Sequence, residues 1–302
     1  MLCRDGTLTL GAIQALTTRL VAATGVTRPV TRHASVMASA MATLAEMSDN
    51  RPVMRIGTGF SSLRTIGLPR AEVADVKTFI ATVRTLLRGE PVQFGDTEGW
   101  LSWLETPPAV PVVIAAIGPR MTRTATHIAD GVILHQGPSP DMIGRALGWV
   151  AKGQARRSVG APEISCWGPY SLADDPAEER DRVRARVGGA LMNARLDWFP
   201  ATEREAVERL QATYDVGHHA SAAPDHAAPV PDSMVDRYAI AESPERVRAQ
   251  LSQLRHTPGI DSVILTPQVI DPGARGMGEV LRDLERTVLR EMPWWSRGES
   301  NP

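Results

Sequence analysis

Val112–Gly131, VVIAAIGPRMTRTATHIADG, decides the fold. A short apolar run rich in β-branched residues stops at Gly118-Pro119. A segment with helical spacing follows and ends in Ala129-Asp130-Gly131, after which Val132-Ile133-Leu134 form another apolar run. The order is strand, tight turn, helix, strand. Gly118 lets backbone come close to a ligand, and Pro119 suits the first helical position, where an N–H has no partner anyway. A helix starting there aims free N–H groups and a partial positive charge at the carboxyl end of the strand, which makes an anion site. Arg120 and Arg123 add formal charge. The alternative is an ordinary βα turn with solvated arginines.

The same alternation extends along the chain. Strands are expected at Arg19–Gly25, Pro52–Gly57, Val112–Ala116, Val132–Leu134, Ile164–Leu172 and Ser262–Thr266. Helices are expected at Leu8–Leu16, Ser35–Met47, Arg70–Arg88, Pro140–Ser158, Ser243–Leu254 and Gly278–Met292, with an irregular helical stretch over Pro176–Tyr214. The Arg70–Arg88 segment is amphipathic, with Val73, Val76, Phe79, Ile80, Val83, Leu86 and Leu87 on one stripe and Gly89 as its stop. Ser243-Pro244-Glu245 reads as an N-cap followed by proline at the first position. Gly217–Pro231 is rich in Ala, His and Pro and reads as loop. Strands alternating with helices predict an α/β fold with a parallel sheet, either a closed barrel or a doubly wound sheet.

Composition narrows the function classes. A chain of 302 residues, 43% hydrophobic, can bury a large core, and its net charge of −1 offers no global field for nucleic acid or membrane. Lys77 and Lys152 are the only lysines, so 31 of the 33 basic residues are arginines (33 − 2), a pattern of GC-rich codon usage. Cys3 and Cys166 are the only cysteines, which fits a reducing cytoplasm. No apolar run approaches the roughly 20 residues that span a bilayer. The start, MLCRDGTLTLG, lacks the charged and apolar regions of a signal peptide.

Several segments, in order, resemble the bacterial-luciferase-like superfamily, the (β/α)8 TIM-barrel group of flavin monooxygenases and coenzyme F420-dependent oxidoreductases. Thr24–His33 (TGVTRPVTRH) resembles the loop after that family's third strand, Arg55–Gly67 (RIGTGFSSLRTIG) the fourth strand and its loop, and Thr78–Gly89 (TFIATVRTLLRG) the next helix. Ala115–Leu134 resembles strand five, its phosphate-side turn and strand six, and Val235–Leu254 the approach to the last helices. The resemblance covers nearly the whole of 1–302 as a single domain with a loop insertion at about 191–232, and lies nearer the F420 branch than the FMN branch. Family members begin with two strands and a helix before the region matching Thr7–Leu16. By that resemblance the chain is N-terminally truncated or its start codon is placed late, and the family's acid/base position near the end of strand two has no counterpart.

The resemblance also implies a cofactor site. Gly25, Val26 and Thr27 match a bulge with a non-prolyl cis peptide that backs the ring. Gly57, Thr58 and Gly59 match a loop under the cofactor. Many relatives have a basic or otherwise distinctive residue at Thr58, and Ser61, Ser62 and Arg64 stand nearby as replacements. Ala116, Ile117, Gly118, Pro119, Arg120 and Met121 match the segment whose backbone N–H groups hold the cofactor phosphate. His135, just past strand six, faces the mouth of a barrel, where this fold places its sites; a structural histidine is the alternative. Arg32 and His33 read as packing or supporting groups. His218, His219, Asp225 and His226 have no regular element to preorganise them and match no zinc spacing, so no metal is expected. Trp294-Trp295 read as an outer packing or subunit contact.

The expectation is therefore a cytoplasmic F420-dependent oxidoreductase. It moves a hydride between the deazaflavin and a small organic substrate of unknown identity, with no assigned proton donor. The alternatives are an FMN-dependent monooxygenase of the same fold and a degenerate non-catalytic paralogue. A homodimer through the Ala/Met-rich helix Ser35–Met47 is expected from the resemblance, although that composition fits a buried core helix equally.

Overall fold

The computed structural model describes residues 5–172, 176–219, 225–268 and 276–292. Along the chain run α1 (Gly6–Leu16), β1 (Ala22–Ala23), α2 (Ala34–Ser48), β2 (Pro52–Ile56), α3 (Ser61–Arg64), α4 (Val73–Leu87), β3 (Val92–Phe94), β4 (Thr97–Gly99) and β5 (Val112–Ala116). There follow α5 (Pro119–Ile128), β6 (Gly131–Leu134), α6 (Pro140–Gln154), β7 (Glu163–Ser171), α7 (Pro176–Leu191), α8 (Ala201–Thr213), α9 (Asp232–Tyr238), β8 (Ile240–Ala241), α10 (Pro244–Arg255), β9 (Ser262–Pro267) and α11 (Met277–Thr287). The chain divides into two compact units: Met1–Ala116 with Arg123–Val132 and Gly153–Pro162, and the remainder.

In the first unit β1, β2 and β5 lie side by side and parallel, with Ala22 opposite Pro52 and Met54, Arg55 and Ile56 opposite Val112, Val113 and Ile114. Period-two burial is visible in β2 and β5: Met54, Ile56, Val112, Ile114 and Ala116 are fully buried, and the residues between them are half-buried. Burying each of the Met, Ile and Val side chains among them contributes about 1.5–3 kcal/mol. α2 packs on α4; α2 buries Met37, Ala38, Met41 and Ala45, and α4 buries its Val76–Leu87 stripe. Its Ala/Met-rich face is thus largely core, leaving Val36 and Met47 exposed. The C-terminal carbonyls of α5 are held by arginines: Arg84 donates to Ile128 O at 2.6 Å, and Arg157 to Thr126 O at 2.9 Å and Ala129 O at 2.7 Å. The Asp130 carboxylate accepts from both the Val112 N–H and Arg84, locking α4 and β5 together.

In the second unit β7 pairs in parallel with β8, through Tyr170–Ile240 and Ser171–Ala241, and with β9 from Ser165–Ser262 to Tyr170–Pro267. Val183, Val187, Leu191, Leu210, Met234 and Tyr238 form its core.

Four local readings are corrected. Arg19–Gly25 yields a strand of only Ala22–Ala23, because the chain must leave the sheet for the bulge at Gly25. The stretch 191–232 is not a plain loop. It holds a one-turn helix at Leu196–Trp198 and α8, which buries Val207 and Leu210. Six strands are read from the sequence; the described residues add β8 and the antiparallel hairpin β3–β4. Ser243 sits at the N-cap with Pro244 after it, but its hydroxyl makes no capping bond. Cys166 is free and buried, its thiol pushed up to about 12 by desolvation. Cys3 and Trp294-Trp295 lie outside the described residues.

Candidate functional site

The first unit brings two of the expected loops together. After β1 the Gly25–Val26 peptide bond is cis. The Thr27 N–H donates to Arg55 O at 2.8 Å, and Thr27 O accepts from the Gly57 N–H at 3.0 Å, forming a single parallel bridge to Ile56. Thr24, missed in the sequence reading, is buried beside this bulge. Its hydroxyl donates to Arg55 O at 2.6 Å and accepts from the Arg55 N–H at 2.8 Å, filling the ladder where the backbone turns away. A Cβ on Gly57 would stand 3.3 Å from Val26 Cγ2, so a side chain here would require Val26 to shift by a few tenths of an ångström. Gly59 has φ +80°, and a Cβ there would strike Leu63 at 2.6 Å. Gly25 differs: it is exposed, and a Cβ there would meet nothing within 4 Å. The bulge therefore presents bare backbone outward while its neighbours hold it from behind.

The second unit carries the turn at Ile117–Met121. Gln136, buried and also missed, donates from Nε2 to Ile117 O. The Thr122 N–H and hydroxyl both donate to Gly118 O at 3.0 Å. In a planar trans peptide the N–H points opposite to the carbonyl, so fixing Ile117 O aims the Gly118 N–H away from Gln136. A Cβ at Gly118 would also meet nothing within 4 Å, so no described side chain fills the space at that Cα. Arg120 is exposed, whereas Met121 is buried and Ala116 ends β5 fully buried. At those last two positions only backbone is offered.

His135 follows β6 in the same unit. Its ring stacks on Trp167 at 3.7 Å between centroids and 12° between planes, and Trp167 Nε1 donates to Thr266 Oγ1 at 2.6 Å. His135 Nδ1 is buried and has no hydrogen-bond partner on another described residue. Burial, with the Arg186 cation adding to it, holds this imidazole down to about 4. At neutral pH it is an uncharged ring with one nitrogen unmatched. A buried polar atom left so costs about 1–3 kcal/mol, which a ligand can recover.

The other candidates resolve into structural roles. His33 caps α2 by accepting from the Ser35 N–H at 3.3 Å, and Arg32 ties the loop after β1 to Asp5, the N-cap of α1, and to Thr7 in its first turn. His218 pairs with Asp215 at 2.6 Å, while His219 meets the Tyr214 hydroxyl and His226 packs on the Tyr214 ring. Among the described residues no group of three His, Cys, Asp or Glu could hold a metal ion. No described helix is long and apolar enough to cross a membrane. The first unit thus presents bare outward backbone at Gly25, and the second carries a turn at Gly118 with space at its Cα and, separately, a buried His135 nitrogen with no partner on another described residue.

Comparison with known proteins gives the family and the fold. The family model for luciferase-like monooxygenases matches residues 2–262. A 5,10-methylenetetrahydromethanopterin reductase of Methanolobus tindarius is 25% identical over 266 residues, covering 83% of this chain and 78% of that one. An F420-dependent glucose-6-phosphate dehydrogenase of Nakamurella multipartita is 36% identical over 144 residues, but these are 44% of this chain and only 42% of that protein. The solved coenzyme F420 dependent tetrahydromethanopterin reductase from Methanopyrus kandleri superimposes with a TM-score of 0.73 at 19% identity, over 96% of this chain and 88% of that one. That likeness shows the fold, the luciferase-like (β/α)8 type expected from the sequence.

Proposed function

The chain belongs to the luciferase-like monooxygenase family of oxidoreductases, and from that premise we propose that it uses coenzyme F420 to oxidise or reduce a small organic molecule. The observation that carries the proposal is the turn at Gly118, with its carbonyls already satisfied and its N–H given no partner among the described residues. The names of the matched reductase and dehydrogenase favour F420 over FMN.

When bound, the deazaflavin supplies a two-electron hydride carrier. The chain's residues supply placement. Gly25, Val26 and Thr27 back the ring, and the Gly57–Thr58–Gly59 turn fixes that bulge from beneath. The backbone of Ala116–Met121 holds the phosphate, with Arg120 adding charge at the head of α5. His135, neutral and stacked on Trp167, offers one polar atom from a flat wall. The substrate is a small molecule. Two copies of the chain pair, with the exposed Val36 and Met47 of α2 at their contact.

The test is an equilibrium titration with F420 and with FMN, followed by ligand fluorescence. The reading requires F420 to bind more tightly. Preference for FMN supports a monooxygenase of the same fold, and binding of neither supports a non-catalytic paralogue.

A further inference from the structure

The loop from Thr58 to Ala71 concentrates positive charge that the ring and phosphate contacts do not use. The Ala71 N–H donates to Thr58 O at 3.0 Å and closes the loop at its neck. Leu63, fully buried, anchors its middle under Gly59, and the Leu68 N–H donates to Leu63 O at 2.9 Å. The loop is therefore preorganised. On it, the guanidiniums of Arg64 and Arg70 both face the Phe60 ring, at 5.9 and 4.4 Å from its centroid. Arg28, following the Gly25–Thr27 bulge, donates to Ser62 of the same loop.

Two like charges over one ring oppose each other. Arg70, solvent-exposed but with its head partly desolvated over Phe60, loses proton affinity to that desolvation and to the nearby Arg64 cation. Cation–π attraction offsets part of that cost. No ion pair joins Arg64 or Arg70 to a carboxylate among the described residues. The carboxylates next in sequence, Glu72 and Asp75, are engaged with the first turn of α4. Guanidiniums held together without a counter-charge form a site for an anion carrying more than one negative group.

We propose that Arg64 and Arg70, held on Phe60, clamp the carboxylates of the acidic γ-glutamyl tail of F420. The inference rests on the F420 reading above and deepens it, because FMN has no such tail. The two arginines would then select between cofactors that share a ring shape and a phosphate.

The test compares wild type with the Arg64→Gln/Arg70→Gln double variant on three probes: F420 with its glutamyl tail, its glutamate-free phospholactyl form, and the phosphate-free riboside. Both arginines are exposed, and a thermal melt checks that the variant remains folded. The expected result is about tenfold weaker binding of tailed F420 in the variant, with a shallower salt dependence. The two tail-free probes should be unaffected. Equal weakening of the tailed and phospholactyl forms would assign the arginines to the phosphate and overturn the inference, as would no change on any probe. If wild type binds the riboside or the phospholactyl form, the F420 reading stands whatever becomes of the clamp. If wild type binds none of the three, that reading falls and the clamp with it.

Discussion

Gly118→Ala separates folding from binding at one atom. A Cβ built there meets no described atom within 4 Å beyond its own chain neighbours, and the residue lies outside the left-handed region where only glycine is relaxed. Replacing glycine by alanine in a compatible conformation stabilises by about 0.4–1 kcal/mol through the unfolded chain. Alanine is a poorer residue than glycine at a helix start, which offsets that gain by a few tenths or more. The net effect on folding is within about 1 kcal/mol, or roughly 2–4 °C in Tm. Binding responds differently. If the Gly118 N–H meets a phosphate, the added methyl group occupies the anion's approach and one charge-assisted hydrogen bond is lost. Such a bond is worth about 1.5–3 kcal/mol, so F420 affinity should fall roughly 10- to 100-fold. The assay pairs a thermal melt with a fluorescence titration of the same preparation. An unchanged melt with unchanged F420 affinity would refute the reasoning, since the open turn would then be empty space with no ligand in it.

Gly153→Ala should destabilise the fold by about 1–3 kcal/mol in urea denaturation, because its Cβ would sit 2.7 Å from both Arg123 O and Thr126 Cβ. Helix propensity alone predicts the opposite sign, so a stabilised variant would show that α6 and α5 have room to part. His135 and His219 are both held down to about 4, chiefly by burial, with the Arg186 cation contributing at each. Their folded values lie below the unfolded one near 6.5, so the unfolded chain takes up protons first as pH falls. Stability should therefore be full above about pH 6.5 and decline towards pH 4, with a smaller decline in His135→Gln. Urea midpoints that do not change between pH 7 and 4.5 would contradict the buried neutral imidazoles.

The elements that local pattern could find are those with long, regular signals. Val112–Ala116 and Gly131–Leu134 announce themselves by β-branched runs bracketed by Gly118-Pro119 and Asp130. The Val76–Leu87 stripe announces α4. Its start was misplaced because the signal at Glu72, whose N–H donates to the Asp75 carboxylate, is weaker than an apolar stripe. The β3–β4 hairpin was invisible: its strands are three residues each and at most half-buried, too short for the Val92-Gln93-Phe94 alternation to register. Only Gly95, with φ +60°, marked the turn. In the site, glycines were legible because bare backbone needs them. Their supports were not. Gln136 reaches Ile117 across 19 residues, Thr24 reaches Arg55 across 31, and the His135–Trp167 stack joins two strands. No local period records a contact of that kind; it exists only once the strands are laid together.

A structure of the protein soaked with F420 tests the central claim most directly. The account predicts phosphate oxygens within hydrogen-bond distance of the Gly118 N–H and of those at the head of α5, and one face of the ring against Gly25–Val26. A ring bound elsewhere, or that turn left vacant with the cofactor present, would contradict it.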